Sequence, residues 1–388
     1  MTCKKPNNTA SESPKLIDER LYSLAVSFLS GVGDINAKKL ISRFGSAESI
    51  FKSSLSELRK VTGIGDMISL RLYNSFSSAI QKAEEELLYI YSNEIDFVTY
   101  TDQDYPVRLK ECDDAPMVLY YKGKADFNSK KIISIVGTRN ATKYGTDFCT
   151  KLIESLSLKY PETIIVSGLA YGIDVAAHKE ALKNNLKTWA VMGHSLETVY
   201  PAKHKRIAQK IIDTDGAIIS DFPHGSKTEN SNFVKRNRIV AGLCDALIIV
   251  ESGIKGGSMI TANIANHYNK DVFALPGSIN SIYSEGCNRL IKTNRANLVE
   301  SLEDIEYILN WSSKSKEIIQ QNLQLIESLN ENEKIIVDVL KNFEYLDIDN
   351  ILRQTNLSPD VLSLSLLELE FKNIIRALPG KIFTLKLK

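Results

Sequence analysis

The stretch Asn232–Ala262, NFVKRNRIVAGLCDALIIVESGIKGGSMITA, holds the residue types that a phosphate site requires. Lys235, Arg236 and Arg238 cluster on an expected helix over 232–241. A guanidinium grips phosphate through two parallel N–H bonds. Gly256-Gly257-Ser258 then stands just before an expected helix over 259–269. Glycine lets backbone approach a ligand, and the unpaired N–H groups of a helix start favour an anion. Between the two lies the apolar run Ala246–Val250, which reads as a fully buried strand. Together these features predict phosphates lying across a parallel sheet.

Other chemistry-bearing residues come after further apolar runs. Gly137-Thr138-Arg139 pairs a turn glycine with a charged fork. Ser167-Gly168-Leu169-Ala170-Tyr171-Gly172-Ile173-Asp174 is not the dinucleotide fingerprint, so a nicotinamide cofactor is not expected; it fits a second phosphate-facing helix start. Asp174 and His178 are four apart, which suits an acid–base pair or, without a nucleophile nearby, the ordering of a helix start. Lys203, His204, Lys205 and Arg206 open a helix, where cations oppose the helix dipole. An anionic ligand would explain them, and so would a solvated face. Phe233 beside Lys235 suits base stacking, or a place in the core.

Alternating strands and helices must position these residues. Strands are expected at Ile132–Val136, Thr163–Ser167, Thr188–Met192, Ala217–Ser220, Ala246–Val250 and Val272–Leu275. Helices near 144–158, 174–184 and 203–213 complete a parallel-rich α/β sheet, whose ligands sit at the carboxyl ends of strands.

The flanks differ. Residues 1–15 read as a disordered tail and 16–92 as helices with two turns, Gly31-Val32-Gly33 and Gly63-Ile64-Gly65. Helix, GxG, helix is the look of a helix-hairpin-helix (SAM-like) domain, whose turn amides can meet a DNA phosphate. The sequence next to the turns is short of Lys and Arg, which favours mere packing turns. Glu84-Glu85-Glu86 reads as a solvated face. The α/β domain is assigned to 93–310, with short β-type runs at 97–100 and 117–121 in a segment expected to pack against the α/β sheet. A linker over 311–330 leads to a winged helix over 331–388, with a wing about Pro379-Gly380. Its third helix, SPDVLSLSLLELEF, lacks Lys and Arg, so it is not expected to read duplex bases and suits a protein contact instead.

The totals exclude several classes. The chain has 388 residues, net charge +1, 43% hydrophobic and 24% charged residues, as an ordinary globular protein does. A nucleic-acid binder with this balance must gather its cations on one face. No apolar run approaches a membrane span, and Met1–Pro14 lacks the core of a signal peptide. Cys3, Cys112, Cys149, Cys244 and Cys287 form no CxxC and no even framework, which fits a reducing cytosol. Metal-ligand spacing, a GxSxG elbow and a Walker A sequence are missing, so neither metal nor covalent catalysis is expected.

The motifs IISIVGTR, VSGLAYGID, VYP, ISDFP, FVKRNRIVAGL, IIVESG, GGSMITA, FALPG and GCNRLI occur in the order found in DNA-processing protein A, the DprA/Smf family, which this chain resembles over about 93–300. The resemblance implies an extended Rossmann-like domain that binds single-stranded DNA, dimerises, and loads the RecA recombinase during natural transformation. It implies phosphate contacts at Gly137, Thr138, Arg139, Ser167, Gly168, Arg236, Asn237, Arg238, Gly257, Ser258 and Thr261. Two turns depart from the family pattern, Gly193-His194-Ser195 and Thr293-Asn294-Arg295-Ala296. The alternative is a nucleotide-binding enzyme similar to the LOG-type phosphoribohydrolases, which carry PGGxGTxxE. Here Lys255–Asn263 keeps the glycines but lacks the proline and the catalytic glutamate.

Overall fold

A computed structural model of the chain describes residues 14–311 and 329–385, apart from 342, 344, 356, 373, 379 and 380. The expected tail (but for its last two residues), most of the linker and the Pro379-Gly380 turn lie outside the described residues. The chain divides into two compact units between Ile305 and Glu306.

The first unit is built on nine strands: β1 (Asp96–Thr99), β2 (Val118–Gly123), β3 (Ile132–Gly137), β4 (Ile164–Ser167), β5 (Thr188–Val191), β6 (Ala217–Ser220), β7 (Ala246–Val250), β8 (Asp271–Ala274) and β9 (Asn297–Leu298). Their order in the sheet is β1-β2-β6-β5-β4-β3-β7-β8-β9. From β6 to β9 every pairing is parallel. Six helices begin the unit: α1 (Pro14–Val26), α2 (Asp34–Phe44), α3 (Ala47–Phe51), α4 (Leu55–Leu58), α5 (Asp66–Asn74) and α6 (Phe76–Ser92). Around the sheet lie α7 (Val107–Lys110), α8 (Lys143–Lys159), α9 (Ile173–Lys183), α10 (Lys205–Asp213), α11 (Asn230–Gly242), α12 (Gly257–His267) and α13 (Glu285–Lys292), and α14 (Leu302–Ile308) spans the boundary between the units.

Residues of β7 are buried on both faces, as a central parallel strand requires. Alternation along β5 sends Trp189 and Val191 into the core beneath α11 and α12. Ala190 and Met192 enter the core beneath α9 and α10. This is the α/β architecture expected from the alternating apolar runs.

The β-type runs near 97–100 and 117–121 do more than pack against the sheet. They form an antiparallel pair, and β2 pairs with β6, Tyr120 opposite Ser220. An open edge of backbone donors and acceptors is thereby covered. Phe97, Met117, Val118 and Tyr120 share one core with Leu24, Leu40, Leu58 and Leu72 of the helical segment. The expected solvated face of three glutamates holds for Glu84 and Glu85, which are exposed, and is corrected at Glu86. Glu86 is buried, and its two carboxylate oxygens accept the His224 N–H at 3.0 and 3.1 Å.

The second unit holds α15 (Glu331–Leu340), α16 (Ile348–Thr355) and α17 (Pro359–Phe371), with a sheet of β10 (Leu346–Asp347), β11 (Ile375–Leu378) and β12 (Ile382–Leu385) in the order β10-β12-β11. It is a winged helix. Asn330 and Glu333 form a capping box at the start of α15, and Lys372 donates to both oxygens of the buried Glu333.

A candidate nucleic-acid interface

The chain lays down β3, β4, β5 and β6 to one side and returns to place β7, β8 and β9 on the other. The reversal falls between β3 and β7, and ligands of such sheets sit in the crevice beyond the strand ends there. A cavity of about 540 Å3 occupies that crevice.

Three loops and the helices α11 and α12 build most of it. Gly137 ends β3, where a β-carbon would stand 1.9 Å from the Val250 carbonyl oxygen, so only glycine fits. Thr138 N–H donates to the Glu251 carbonyl at 2.7 Å. The buried Glu251 carboxylate accepts Thr142 N–H at 2.9 Å and Thr142 O–H at 2.6 Å. Glu251 therefore holds the turn that offers exposed Arg139 to the cavity. Sequence reasoning did not single out Glu251. Its signal was an acid immediately after a fully apolar strand.

Behind β4, Gly168 leaves room for the Arg236 side chain. Arg236 is only 6% exposed and its Nη1 donates to the Val191 carbonyl at 2.7 Å. Its Nε has no partner. Burial lowers its pKa while neighbouring Asp174 raises it, and a guanidinium keeps its charge through such shifts. Asp174 accepts the Ala170 N–H at 3.3 Å at the start of α9; burial raises its pKa and Arg236 opposes the rise.

The fourth wall is the start of α12. Gly256 caps it without any side-chain hydrogen bond. Nothing lies within 4 Å of a β-carbon placed on Gly257, so this wall is open. Ser258 Oγ donates to Ser252 Oγ at 2.7 Å, and Thr261 is buried beneath. Aromatic rings stand close by. Phe233, half-buried, has its centroid 5.5 Å from that of exposed Tyr200.

The cavity thus gathers Gly137, Thr138, Arg139 and Gly168 from the strand ends, and Phe233, Arg236 and Asn237 from α11. Gly256, Gly257, Ser258 and Thr261 complete it from α12. Four other expected site residues are not among its walls. Ser167 is buried and donates to the Ile135 carbonyl at 2.6 Å, joining β4 to β3. Lys203 and Lys235 are exposed outside the cavity. Arg238 is engaged elsewhere: Nη1 donates to Asp34 at 2.9 Å and to the Asp114 carbonyl, and Nη2 to Asp221 at 2.6 Å. It fastens the helical segment to the sheet.

His178 and His204 are held by structural hydrogen bonds. His178 Nδ1 lies 2.7 Å from Thr188 Oγ1, and no hydrogen bond joins it to Asp174. Burial, with Arg236 and His204 nearby, pushes its pKa down to about 3. His204 Nδ1 meets the Leu169 carbonyl at 2.8 Å and steadies the loop after β4. Among the described residues no His, Cys, Asp and Glu cluster could hold a metal, and no helix is long and apolar enough to cross a membrane.

The fold and this crevice define a Rossmann-like protein with a cavity of glycine turns and arginines at its strand ends. Residues 96–310 match the model of DNA recombination-mediator protein A, and residues 323–381 match the DprA winged helix domain. Protein Smf of Synechocystis is 37% identical over 279 residues, covering 70% of this chain and 68% of that protein. The DNA processing protein DprA of Streptococcus pneumoniae is 42% identical over 204 residues, 53% of this chain and 71% of that one. The X-ray structure of DNA processing protein A from Streptococcus pneumoniae superposes with a TM-score of 0.62 at 32% identity, covering 74% of this chain and 96% of that one. A Helicobacter pylori DNA processing protein A structure, described by its single-stranded DNA binding mode, gives 0.50 at 28% identity over 56% and 95%. The chain belongs to the DNA recombination-mediator protein A (DprA/Smf) family.

Proposed function

We propose that this protein binds single-stranded DNA at the β3–β7 crevice and hands it to the RecA recombinase during recombination of incoming DNA. The observation that carries the reading is Arg236: a buried guanidinium with an unpartnered Nε, beside a helix start without a side-chain cap and an open wall at Gly257. A buried charged donor calls for an acceptor, and a phosphate oxygen supplies one. Arg139 adds a second, exposed cation, and Phe233 and Tyr200 offer faces for bases. The likeness to a Helicobacter pylori protein described as binding single strands supports the same ligand.

Lys203 and Lys235 serve in this reading as long-range attraction for the strand rather than as walls of the site. Ser167 positions Gly168. The protein acts as a cytoplasmic homodimer, as the family resemblance implies. The phosphoribohydrolase reading has little to rest on, because Asn263 stands where that chemistry needs its glutamate and the nearby carboxylates of Glu251 and Asp174 are committed.

Photocrosslinking tests the path. Single strands carrying 5-iodouracil are expected to label peptides spanning 230–238 and 252–261. Labelling confined to other segments would remove this crevice as the DNA site. Delivery to RecA is tested by RecA filament growth on strands precoated with a single-strand-binding protein. This protein is expected to relieve the block, and growth unchanged by its addition would refute delivery.

A further inference from the structure

A second concave site lies on the helical segment, far from the chain positions of the crevice. Its cavity of about 890 Å3 is lined by Lys38, Lys39, Arg43, Lys60, Gly63 and Tyr100 among others, with no carboxylate among the lining residues. Lys38 is spoken for: it donates to the Cys112 and Asp113 carbonyls. Lys39, Arg43 and Lys60 are exposed, and among the described residues none of them forms an ion pair. Lys39 and Arg43 are four apart on α2, a like-charge spacing that weakens a helix. Such a local conflict is expected where an anion is met.

The turn Gly63-Ile64-Gly65 brings backbone to the same place. Gly63 has φ +83°, and a β-carbon there would stand 3.0 Å from Lys39 Nζ. The flanks of this turn looked too poor in cations for nucleic acid. Two of the cations, Lys39 and Arg43, arrive instead from α2, about twenty residues back in the chain, and join Lys60 from the flank of the turn itself. Tyr100, the aromatic ring of the cavity, is half-buried and already met by the Lys38 and Lys110 ammoniums at 5.4 and 5.2 Å. A ring already met by two cations is a poor platform for a base. Three long, exposed cations without a free stacking platform suit a row of backbone phosphates.

We propose that Lys39, Arg43 and Lys60, around the Gly63 turn, form a second DNA-backbone site that engages phosphates without reading bases. It is separate from the crevice and does not depend on it.

The test measures anisotropy of a labelled 40-nucleotide single strand with the full chain across a salt series. The variants are Lys39→Ala/Arg43→Ala/Lys60→Ala and the charge-keeping Lys39→Arg/Arg43→Lys/Lys60→Arg. Three lost phosphate contacts make the slope of log affinity against log salt shallower by about two. The alanine variant is expected to show that change with unaltered circular dichroism, and the charge-keeping variant to retain the wild-type slope. An alanine variant with wild-type slope and affinity overturns the proposal. So does a charge-keeping variant as impaired as the alanine one. Gly257→Leu in the same assay separates the two sites. If it changes nothing while the alanine variant flattens the slope, the crevice reading fails and this site stands.

Discussion

Gly168 and Arg236 compete for one space: a β-carbon on Gly168 would stand 1.8 Å from Nη1 of Arg236. The glycine ends a buried strand and the arginine comes from a helix much later in the chain. The buried cation keeps its place, against the Val191 carbonyl, only while position 168 lacks a side chain. Gly168→Ala is expected to push the guanidinium aside and weaken single-strand binding by about tenfold or more, the worth of one charge-assisted hydrogen bond. Anisotropy titration checks this. Wild-type affinity in the alanine variant would mean that Arg236 does not hold phosphate.

Arg238 gives a contrasting expectation. Burial disfavours its charge, and Asp221 and Asp34 more than offset that, so its pKa rises. Its side chain is 15% exposed and that of Asp221 7%. Arg238→Gln leaves Asp221 buried without its cation, which costs about 3–5 kcal/mol. Urea denaturation is expected to show the loss, and Asp221→Asn added to it should recover part. A loss of DNA affinity with unchanged stability would return Arg238 to the binding site.

His178 makes stability depend on pH. Its folded pKa of about 3 lies below the ordinary value of 6.5, so between them the unfolded chain binds the extra proton. The contribution is complete above pH 6.5 and fades as pH falls toward 3, by about 1.4 kcal/mol per unit. Asp174, Asp221 and Glu86 have raised pKa values and act in the opposite sense, losing stability as pH rises through their own windows. Comparison with His178→Asn isolates the histidine, because the amide can still meet Thr188. Wild type is expected to lose more stability than the variant between pH 6.5 and 4. Parallel curves would contradict the assignment.

The sheet was legible because its strands are short apolar runs with glycine at their ends, and β7 appears at the residues where the sequence places it. The walls of the crevice were legible for a related reason: Gly137 and Gly168 stand at strand ends, and Gly256-Gly257 stands just before a helix. The difference between Arg236 and Arg238 was not. It depends on Asp34, which is 204 positions away in the chain. Glu86 was misread for a similar cause: its partner is the backbone of His224, 138 positions on. Two of the three cations beside Gly63, Lys39 and Arg43, come from α2 rather than from the turn's own flank, which supplies only Lys60. Local pattern reports which face is apolar. It does not report which charge a distant loop will deliver.

The most direct measurement of the central claim is single-strand affinity for wild type, Arg139→Ala and Gly257→Leu at two salt concentrations. Arg139 is exposed and a side chain at Gly257 meets nothing within 4 Å at its β-carbon, so neither change should disturb the fold. Wild type is expected to bind, salt to weaken it, and each variant to lose about tenfold or more. A wild type that fails to bind single strands at low salt, or variants that bind as wild type does, would contradict the crevice as the DNA site.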